Sequence, residues 1–174
     1  MRVRRAVIKD APGIAKVHVD SWRTTYKGII PTEFLDKLSV DERKILWEKN
    51  ILRDDNFVIV AENKDGQIIG FADTSKRESN IDENTTDLTS IYILQSCQGY
   101  GIGKKLMKSL FEYYKAQGYE KVYVDVLADN KTRFFYEYYG AKHVKNIQIS
   151  IGGKLLEEFV YEWNSIDTVL EKLV

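Results

Sequence analysis

In the first fifty positions, the spacing of apolar residues is typical first of a β-strand and then of helices. Residues Arg2–Ile8 form a β-rich run. Asp10 then offers a helix N-cap, and the apolar stripe behind it predicts a helix that ends at about Trp22, after which the chain loosens. Ser39 and Glu42 match the capping-box pattern, which predicts that a second helix begins there.

The next segment has the composition of a β-hairpin. Two β-rich runs, Phe57–Ala61 and Gln67–Thr74, are separated by Asn63–Gly66, whose residue types favour a turn. We therefore expect the two runs to pair as antiparallel strands. The polar stretch from Lys76 to Thr86 is predicted to be a loop.

In the middle of the chain the pattern indicates a strand, a helix and a second strand. Leu88–Leu94 and Lys121–Leu127 are the predicted strands, and Ile102–Gln117 carries a helical apolar stripe. Gly118 stands where a glycine commonly ends a helix. Because two strands joined through a helix run parallel, this segment predicts a right-handed βαβ unit.

The last forty-odd residues return to antiparallel patterns. A helix is predicted over Lys131–Tyr139, and Gly152-Gly153 joins the runs His143–Ile151 and Lys154–Trp163 as a second hairpin. A short terminal helix is predicted within Ser165–Val174. The whole pattern predicts an α/β (α+β) fold, in which helices flank a mixed, mostly antiparallel sheet with one parallel pair at its centre.

Composition narrows the class of protein. The 174 residues suffice for one core, so we expect a single domain over residues 1–174. Lys plus Arg (26) equals Asp plus Glu (26), so no positive field favours nucleic acid. No apolar stretch follows the basic first residues, which argues against a signal peptide and a membrane partner. The single cysteine, Cys97, can form neither an internal disulfide nor a zinc cluster, so we expect a cytoplasmic protein without a metal.

A glycine-rich segment between the predicted strand and helix is the main candidate for chemistry. Glycines at positions 99, 101 and 103 let successive backbone N–H groups face one anion without side chains in the way. The helix dipole adds about half a positive charge at the same point. Taken alone, the glycines are equally consistent with a tight strand-to-helix turn.

Two familiar phosphate-binding loops do not fit this segment. A P-loop requires a glycine at position 98 and a Ser or Thr at position 105, where the chain has Gln98 and Lys105. A dinucleotide fingerprint requires its third glycine one residue after Gly103 and an acidic residue at the end of the next strand, whereas Asp125 lies inside that strand. The segment is therefore neither an ATPase loop nor a convincing dinucleotide site.

The segment resembles the central motif of the GNAT superfamily of acetyltransferases. Gln98-Gly99-Tyr100-Gly101-Ile102-Gly103 follows the strand Leu88–Ile93 at the family's spacing. Asn130 and Phe135-Tyr136-Glu137 resemble the family's second signature, so the resemblance covers residues 87 to 141. It implies an acyl-CoA-dependent N-acetyltransferase that uses acetyl-CoA as co-substrate and no metal.

The resemblance also implies where the cofactor lies. Pantetheine would pair with the strand at Ile91, Tyr92 and Ile93, which must separate from the next strand to admit it. A backbone N–H of this strand would stabilise the oxyanion formed on the thioester. The pyrophosphate would rest on the backbone of Gln98, Gly99, Tyr100, Gly101, Ile102, Gly103 and Lys104.

Two catalytic residues and a cofactor contact follow from the same resemblance. Asp87 stands where many relatives carry a glutamate that acts as the base, and Tyr136 matches the tyrosine that protonates the leaving thiolate. Asn130 would contact the cofactor, although it precedes Tyr136 by six residues where relatives commonly show seven.

The acceptor is implied to be a primary amine of a small molecule or peptide. Trp22 and Tyr26 are candidate residues of the acceptor site, since the first helix and last hairpin set specificity in this family. A polyamine, an amino acid, an antibiotic and a protein amine all remain open, as does a homodimer formed through the last hairpin. The alternative function is an acyl-CoA-binding sensor or interaction module without catalysis.

Overall fold

The computed structural model describes all 174 residues as six helices around one seven-stranded sheet. The helices are α1 (Ala11–Thr25), α2 (Thr32–Asp36), α3 (Val40–Leu52), α4 (Ile102–Gln117), α5 (Thr132–Tyr138) and α6 (Ile166–Lys172). The strands are β1 (Arg2–Arg5), β2 (Phe57–Glu62), β3 (Ile68–Thr74), β4 (Thr85–Ile93), β5 (Lys121–Leu127), β6 (Lys142–Ile151) and β7 (Lys154–Trp163). The strand order is β1-β2-β3-β4-β5-β7-β6, and only β4 and β5 run parallel. The predicted fold class is confirmed.

The two predicted helix N-caps have different outcomes in the structure. Ser39 Oγ accepts a hydrogen bond from Glu42 N at 3.2 Å and caps α3 as predicted. Asp10 precedes α1, but its carboxylate accepts from Arg4 at 2.6 and 2.9 Å and from Val7 N at 2.8 Å instead of capping the helix. The prediction that Asp10 caps α1 with its side chain is therefore wrong, because a tertiary partner outcompetes the local one.

Three element predictions also need correction. The first strand ends at Arg5 and not at Ile8, because a short 3-10 turn occupies the residues before α1. Helix α1 continues to Thr25, past the predicted end at about Trp22, and α2 follows in a stretch for which no element was predicted. Strand β4 begins at Thr85, so the preceding loop is shorter than predicted.

The hydrophobic core is divided by the sheet into two layers. On one face α4 buries a stripe that includes Leu106, Leu110 and Tyr114 against the central strands. On the other face α1 and α3 pack through Ile14 and Trp47. The middle strands are therefore covered on both faces, which leaves only the places where strands part as routes into the molecule.

A β-bulge in β4 creates such a place. Asp73 of β3 pairs with Ser90, whereas the next residue, Thr74, pairs with Leu88, so Thr89 is an extra residue on β4. β4 pairs with β5 only over Thr85–Asp87, which lies before the bulge. Because a bulge bends its strand and increases the local twist, the second half of β4 separates from β5. The structure therefore contains the separation of β4 from the next strand that the predicted cofactor site requires.

Two buried titratable groups on the α1 side have opposite effects on stability. His18 Nδ1 accepts from Trp47 Nε1 at 3.0 Å, and burial, followed by the charge of Arg43, lowers the pKa of His18 to about 4. Asp73 accepts from Ser90 Oγ, yet burial outweighs this bond and raises the pKa of Asp73 to about 6. Between pH 4 and 6.5, His18 is therefore protonated in the unfolded chain and neutral in the folded chain. Between pH 4 and 6, Asp73 is protonated in the folded chain and ionised in the unfolded chain.

We therefore expect Asp73→Asn to reveal the histidine contribution. Raising the pH from 4 to 6.5 stabilises the fold through His18 and destabilises it through Asp73, each by about 3 kcal/mol, so the two cancel in the wild type. In the variant the free energy of unfolding should rise over this window by about 3 kcal/mol more than in the wild type. Urea denaturation at pH 4, 5, 6 and 6.5 measures the free energy of unfolding, and an equal dependence of that free energy on pH in both proteins would contradict the expectation.

Candidate active site

A cavity of about 660 Å³ opens where β4 separates from β5. Its walls come from both strands, the glycine segment, α5, the end of α1 and the last hairpin. Of the predicted cofactor residues, those that line it are Ile91, Tyr92, Ile93, Gln98, Gly99, Gly101, Ile102, Gly103, Lys104, Asn130 and Tyr136. Tyr100 does not line the cavity, because its side chain is 79% exposed on the outer side of the segment.

The glycine segment forms an open cradle at the beginning of α4. Gly99 and Gly101 have φ of 83° and 74°, a region that favours glycine, and a Cβ on either would meet no atom within 4 Å. Gln98 Nε2 donates to Ile93 O at 3.2 Å and fixes the segment to the end of β4. No side chain caps the first turn of α4, so its N–H groups and the positive end of its dipole are available to an anion.

Gly103 is needed for a different reason, which is close packing. A Cβ at this position would lie 3.3 Å from Ile93 Cδ1 and 3.5 Å from Phe135 Cζ. A larger residue would therefore push α4 away from the end of β4 and from α5. The first turn of α4 stays close to the cavity because position 103 has no side chain.

Tyr136 brings a phenol to the cavity from α5. Its side chain is 5% exposed and packs edge-on against Trp163, with 5.6 Å between ring centroids. Burial raises the pKa of Tyr136 well above its ordinary value, and the nearby Tyr26 hydroxyl raises it further. The phenol is therefore protonated at neutral pH, so it has a proton to donate at the cavity.

Asn130 lies at the beginning of the same helix. Its Oδ1 accepts from Thr132 N at 2.9 Å, and the residue is 7% exposed while still lining the cavity. The side-chain oxygen thus orders the first turn of α5, which carries Tyr136. The shortened spacing between Asn130 and Tyr136 leaves both residues at the cavity.

Comparison with known proteins gives a family for this arrangement. The model of the family described as "Acetyltransferase (GNAT) family" matches residues 18–141, which include the cradle, the parallel pair and α5. The chain belongs to the GNAT acetyltransferase family.

Relatives of this GNAT chain extend the match over its length. The uncharacterized N-acetyltransferase YuaI of Bacillus subtilis is 33% identical over 167 residues, which cover 96% of this chain and 95% of that protein. The [ribosomal protein bS18]-alanine N-acetyltransferase of Haemophilus influenzae is 37% identical over 81 residues, or 47% of this chain and 52% of that one.

Solved structures show the same GNAT fold. The PaiA N-acetyltransferase of Thermoplasma acidophilum, in complex with coenzyme A, has a TM-score of 0.76 at 24% identity, covering 94% of this chain and 98% of that one. YncA of Salmonella typhimurium, described as a putative acetyltransferase with its cofactor acetyl-CoA, has a TM-score of 0.73 at 19% identity, covering 94% and 93%. At these identities the likeness shows the fold alone. No group of three potential metal ligands occurs in the GNAT chain, and none of its helices could span a bilayer.

Asp87 does not lie at the cavity of this GNAT chain. It is 3% exposed, and its Oδ2 accepts from Arg77 N and from Asn80 Nδ2, both at 3.0 Å. Arg77 Nη1 lies 3.7 Å from the other oxygen. The structure thus places Asp87 as the anchor of the loop before β4, and its oxygens are turned toward that loop. The expectation that Asp87 is the base has no geometric support.

The predicted acceptor residues lie together at the far end of the cavity. The Tyr26 and Tyr92 hydroxyls are 2.9 Å apart, and burial raises the pKa of each phenol. Trp22 meets Tyr26 edge-on with 4.9 Å between ring centroids, and all three residues line the cavity. Tyr92, predicted only as a cofactor contact, therefore also contacts the residues predicted for the acceptor, and these three residues define the predicted acceptor end of the cavity.

Three charged residues at this end were not predicted as site residues. Asp125 of β5, Glu158 of β7 and Arg77 of the loop before β4 all line the cavity. Asp125 and Glu158 interrupt strands whose neighbouring residues are mostly apolar, which was the available signal. The pairing that brings them to one face, Leu127 of β5 opposite Glu158, cannot be read from either strand alone.

Proposed function

We propose that this protein transfers an acetyl group from acetyl-CoA to the nitrogen of a primary amine. The observation that carries the proposal is the cavity between the separated halves of β4 and β5, which joins an uncapped helix N-terminus to a protonated phenol. Family membership supports the reaction class.

The cofactor would lie along the unpaired half of β4. Its pyrophosphate fits the cradle of Gly99 and Gly101, whose N–H groups and helix dipole favour negative charge. The backbone from Ile91 to Ile93 has no partner on the β5 side, so its polar groups are free to pair with the pantetheine amides. A backbone N–H there can stabilise the oxyanion that forms when the amine attacks the thioester.

Tyr136 would supply the proton for the departing thiolate. Its hydroxyl stays protonated at neutral pH because burial disfavours the phenolate.

Cys97 lines the cavity beside the cradle as a free thiol, which supports a reducing compartment such as the cytoplasm. Direct transfer to the amine needs no covalent enzyme intermediate.

Isothermal titration with acetyl-CoA tests the cofactor site. Gly101→Trp places an indole in the cradle, and we expect it to weaken binding by about 100-fold, as the loss of two charge-assisted hydrogen bonds would. Gly118→Trp is the matched control, because Gly118 caps the other end of α4 with φ of 77° and equal open space. Equal losses in both variants would mean that strain, and not the cradle, is responsible.

The same titration, followed by an assay of turnover, separates the two candidate functions. Acetyl-CoA binding by the wild type together with acetylation of an amine supports the transferase. Binding without turnover of any amine would favour a non-catalytic acyl-CoA-binding module. No binding at all would contradict both.

A further inference from the structure

The acceptor end of the cavity holds one carboxylate without a partner. Arg77 is ion-paired with Asp125 and lies 3.7 Å from Asp87, so its positive charge is shared between two carboxylates. Glu158 lines the same cavity, and its side-chain carboxylate makes no hydrogen bond or ion pair within the chain, in contrast to that of Glu157 beside it, which accepts from Asn146 Nδ2 at 2.6 Å. The acceptor end therefore carries an excess of negative charge.

The surroundings of Glu158 make this unpaired charge costly. The residue is half-buried, and desolvation followed by the charge of Asp125 raises the pKa of Glu158 despite the nearby Arg77. A carboxylate that has lost part of its water and has no partner is stabilised by a cation. It is also a stronger base than a solvated carboxylate, which suits it to removing a proton from an ammonium group.

Glu158 also lies close to the residues proposed for chemistry. Its charge acts on the Tyr26 hydroxyl, which is 2.9 Å from the Tyr92 hydroxyl and close enough to Tyr136 to raise that residue's pKa. The groups that face Glu158 are thus Asp125 from β5, Arg77 from the loop before β4 and Tyr26 from the end of α1. Glu158 and Tyr136 line the same cavity, so a nitrogen held by Glu158 would share that cavity with the phenol of Tyr136.

The rest of this end is mostly apolar and is bordered by the last hairpin. Trp22, Ile30, Ile149 and Ile151 line it. The hairpin turn packs on the segment after α1, since a Cβ at Gly152 would lie 2.9 Å from Phe34 Cβ and Lys154 Nζ donates to Ile29 O at 3.0 Å. Such an apolar lining fits a small hydrophobic body better than the polar backbone of an extended peptide.

We propose that Glu158 binds the ammonium group of the acceptor and takes its proton, and that the acceptor is a small apolar primary monoamine without a carboxylate beside the reacting nitrogen. This inference rests on the proposed acetyl transfer. A carboxylate on the acceptor would need a free cation here, and Arg77 is already engaged by Asp125 and Asp87.

The proton balance of the step is complete with the groups present. The ammonium loses one proton to Glu158, and the nitrogen lone pair then forms the C–N bond at the thioester carbonyl. The C–S bond breaks, and the sulfur leaves with its electron pair and receives the Tyr136 proton. The tyrosinate recovers a proton from the acetylated nitrogen, and Glu158 releases its proton to solvent, so each turnover yields amide, thiol and one proton.

The test compares matched acceptors with the wild-type protein. We expect acetylation of 2-phenylethylamine, and kcat/KM at least about 100-fold lower for phenylalanine, which differs only by its carboxylate. Preferential acetylation of phenylalanine, of a diamine or of a peptide with a free N-terminus would overturn the inference while leaving acetyl transfer intact. Failure of every amine would overturn the proposed function together with the inference.

Variants of Glu158 test the role of its carboxylate. Glu158→Gln should lower kcat/KM for 2-phenylethylamine by about 100-fold and remove the limb of the pH profile that reports ionisation of Glu158. Acetyl-CoA affinity, measured by titration, should stay unchanged. Glu158→Asp should recover part of the activity, and Glu157→Gln is the matched control. If the pH profile of Glu158→Gln keeps the wild-type acidic limb, the assignment is overturned, because that limb then reports the ionisation of another group.

Discussion

Replacement of Tyr136 by phenylalanine is expected to lower kcat by about 10²- to 10⁴-fold, the usual contribution of a positioned proton donor. The thiolate must then leave without a proton, whereas the cradle and the unpaired half of β4 are untouched. The variant should therefore bind acetyl-CoA with wild-type affinity and unfold at the wild-type temperature, because the Tyr136 hydroxyl makes no hydrogen bond within the chain that the change would break.

Steady-state kinetics measures kcat, isothermal titration measures the acetyl-CoA affinity, and scanning calorimetry measures the unfolding temperature. Tyr138→Phe is the control, since Tyr138 is on the same helix with its side chain 74% exposed. A Tyr136→Phe enzyme with unchanged kcat would remove this residue from the proton path. A loss of acetyl-CoA affinity would instead assign it to cofactor binding.

Trp163→Ala is expected to have the largest effect on stability. Trp163 is 1% exposed, donates through Nε1 to Tyr139 O at 3.2 Å and packs edge-on against Phe111 with ring centroids 5.3 Å apart. Removing the indole leaves a cavity between α4 and α5, so unfolding should become easier by about 3–5 kcal/mol. The melting temperature should fall by roughly 10 °C for a domain of this size.

A second substitution at the same position separates packing from hydrogen bonding. Trp163→Phe keeps an aromatic ring and loses the N–H, so we expect a smaller loss of about 1–3 kcal/mol from the orphaned Tyr139 carbonyl and the lost volume. Scanning calorimetry measures both variants. A Trp163→Ala melting temperature equal to that of the wild type would contradict the assignment of this residue to the core.

The central segment of the fold was predictable because its signals are local. The bounds of α4 and β5 agree with the predicted Ile102–Gln117 and Lys121–Leu127, and Gly118 ends α4 in the left-handed conformation as expected. An apolar stripe and a C-cap glycine depend on neighbours within a few residues, so the sequence alone contains them. The glycine segment alone was equally consistent with a tight turn, and only its resemblance to a family motif indicated a cofactor cradle.

The acceptor end was less predictable because its contacts join distant parts of the chain. Arg77 meets Asp125 across 48 positions, and Asp87, which looked like a candidate base, is instead held by Arg77 N and Asn80 in the loop before it. Glu158 lines the cavity only because β7 lies beside β5 in the sheet. Such pairings depend on the order of the strands in the sheet, which the residue pattern of a single strand does not indicate.

The bulge at Thr89 also gives the sheet a third edge. An ordinary open sheet has two, here β1 and β6, and each can recruit a strand from another molecule. The half of β4 beyond the bulge exposes unpaired backbone in the same way, but inside the molecule and between the covering helices. An extended ligand can thus add to the sheet as a strand would, while another protein chain meets only the two outer edges. One extra residue therefore supplies backbone recognition without the tendency to aggregate that a third outer edge would bring.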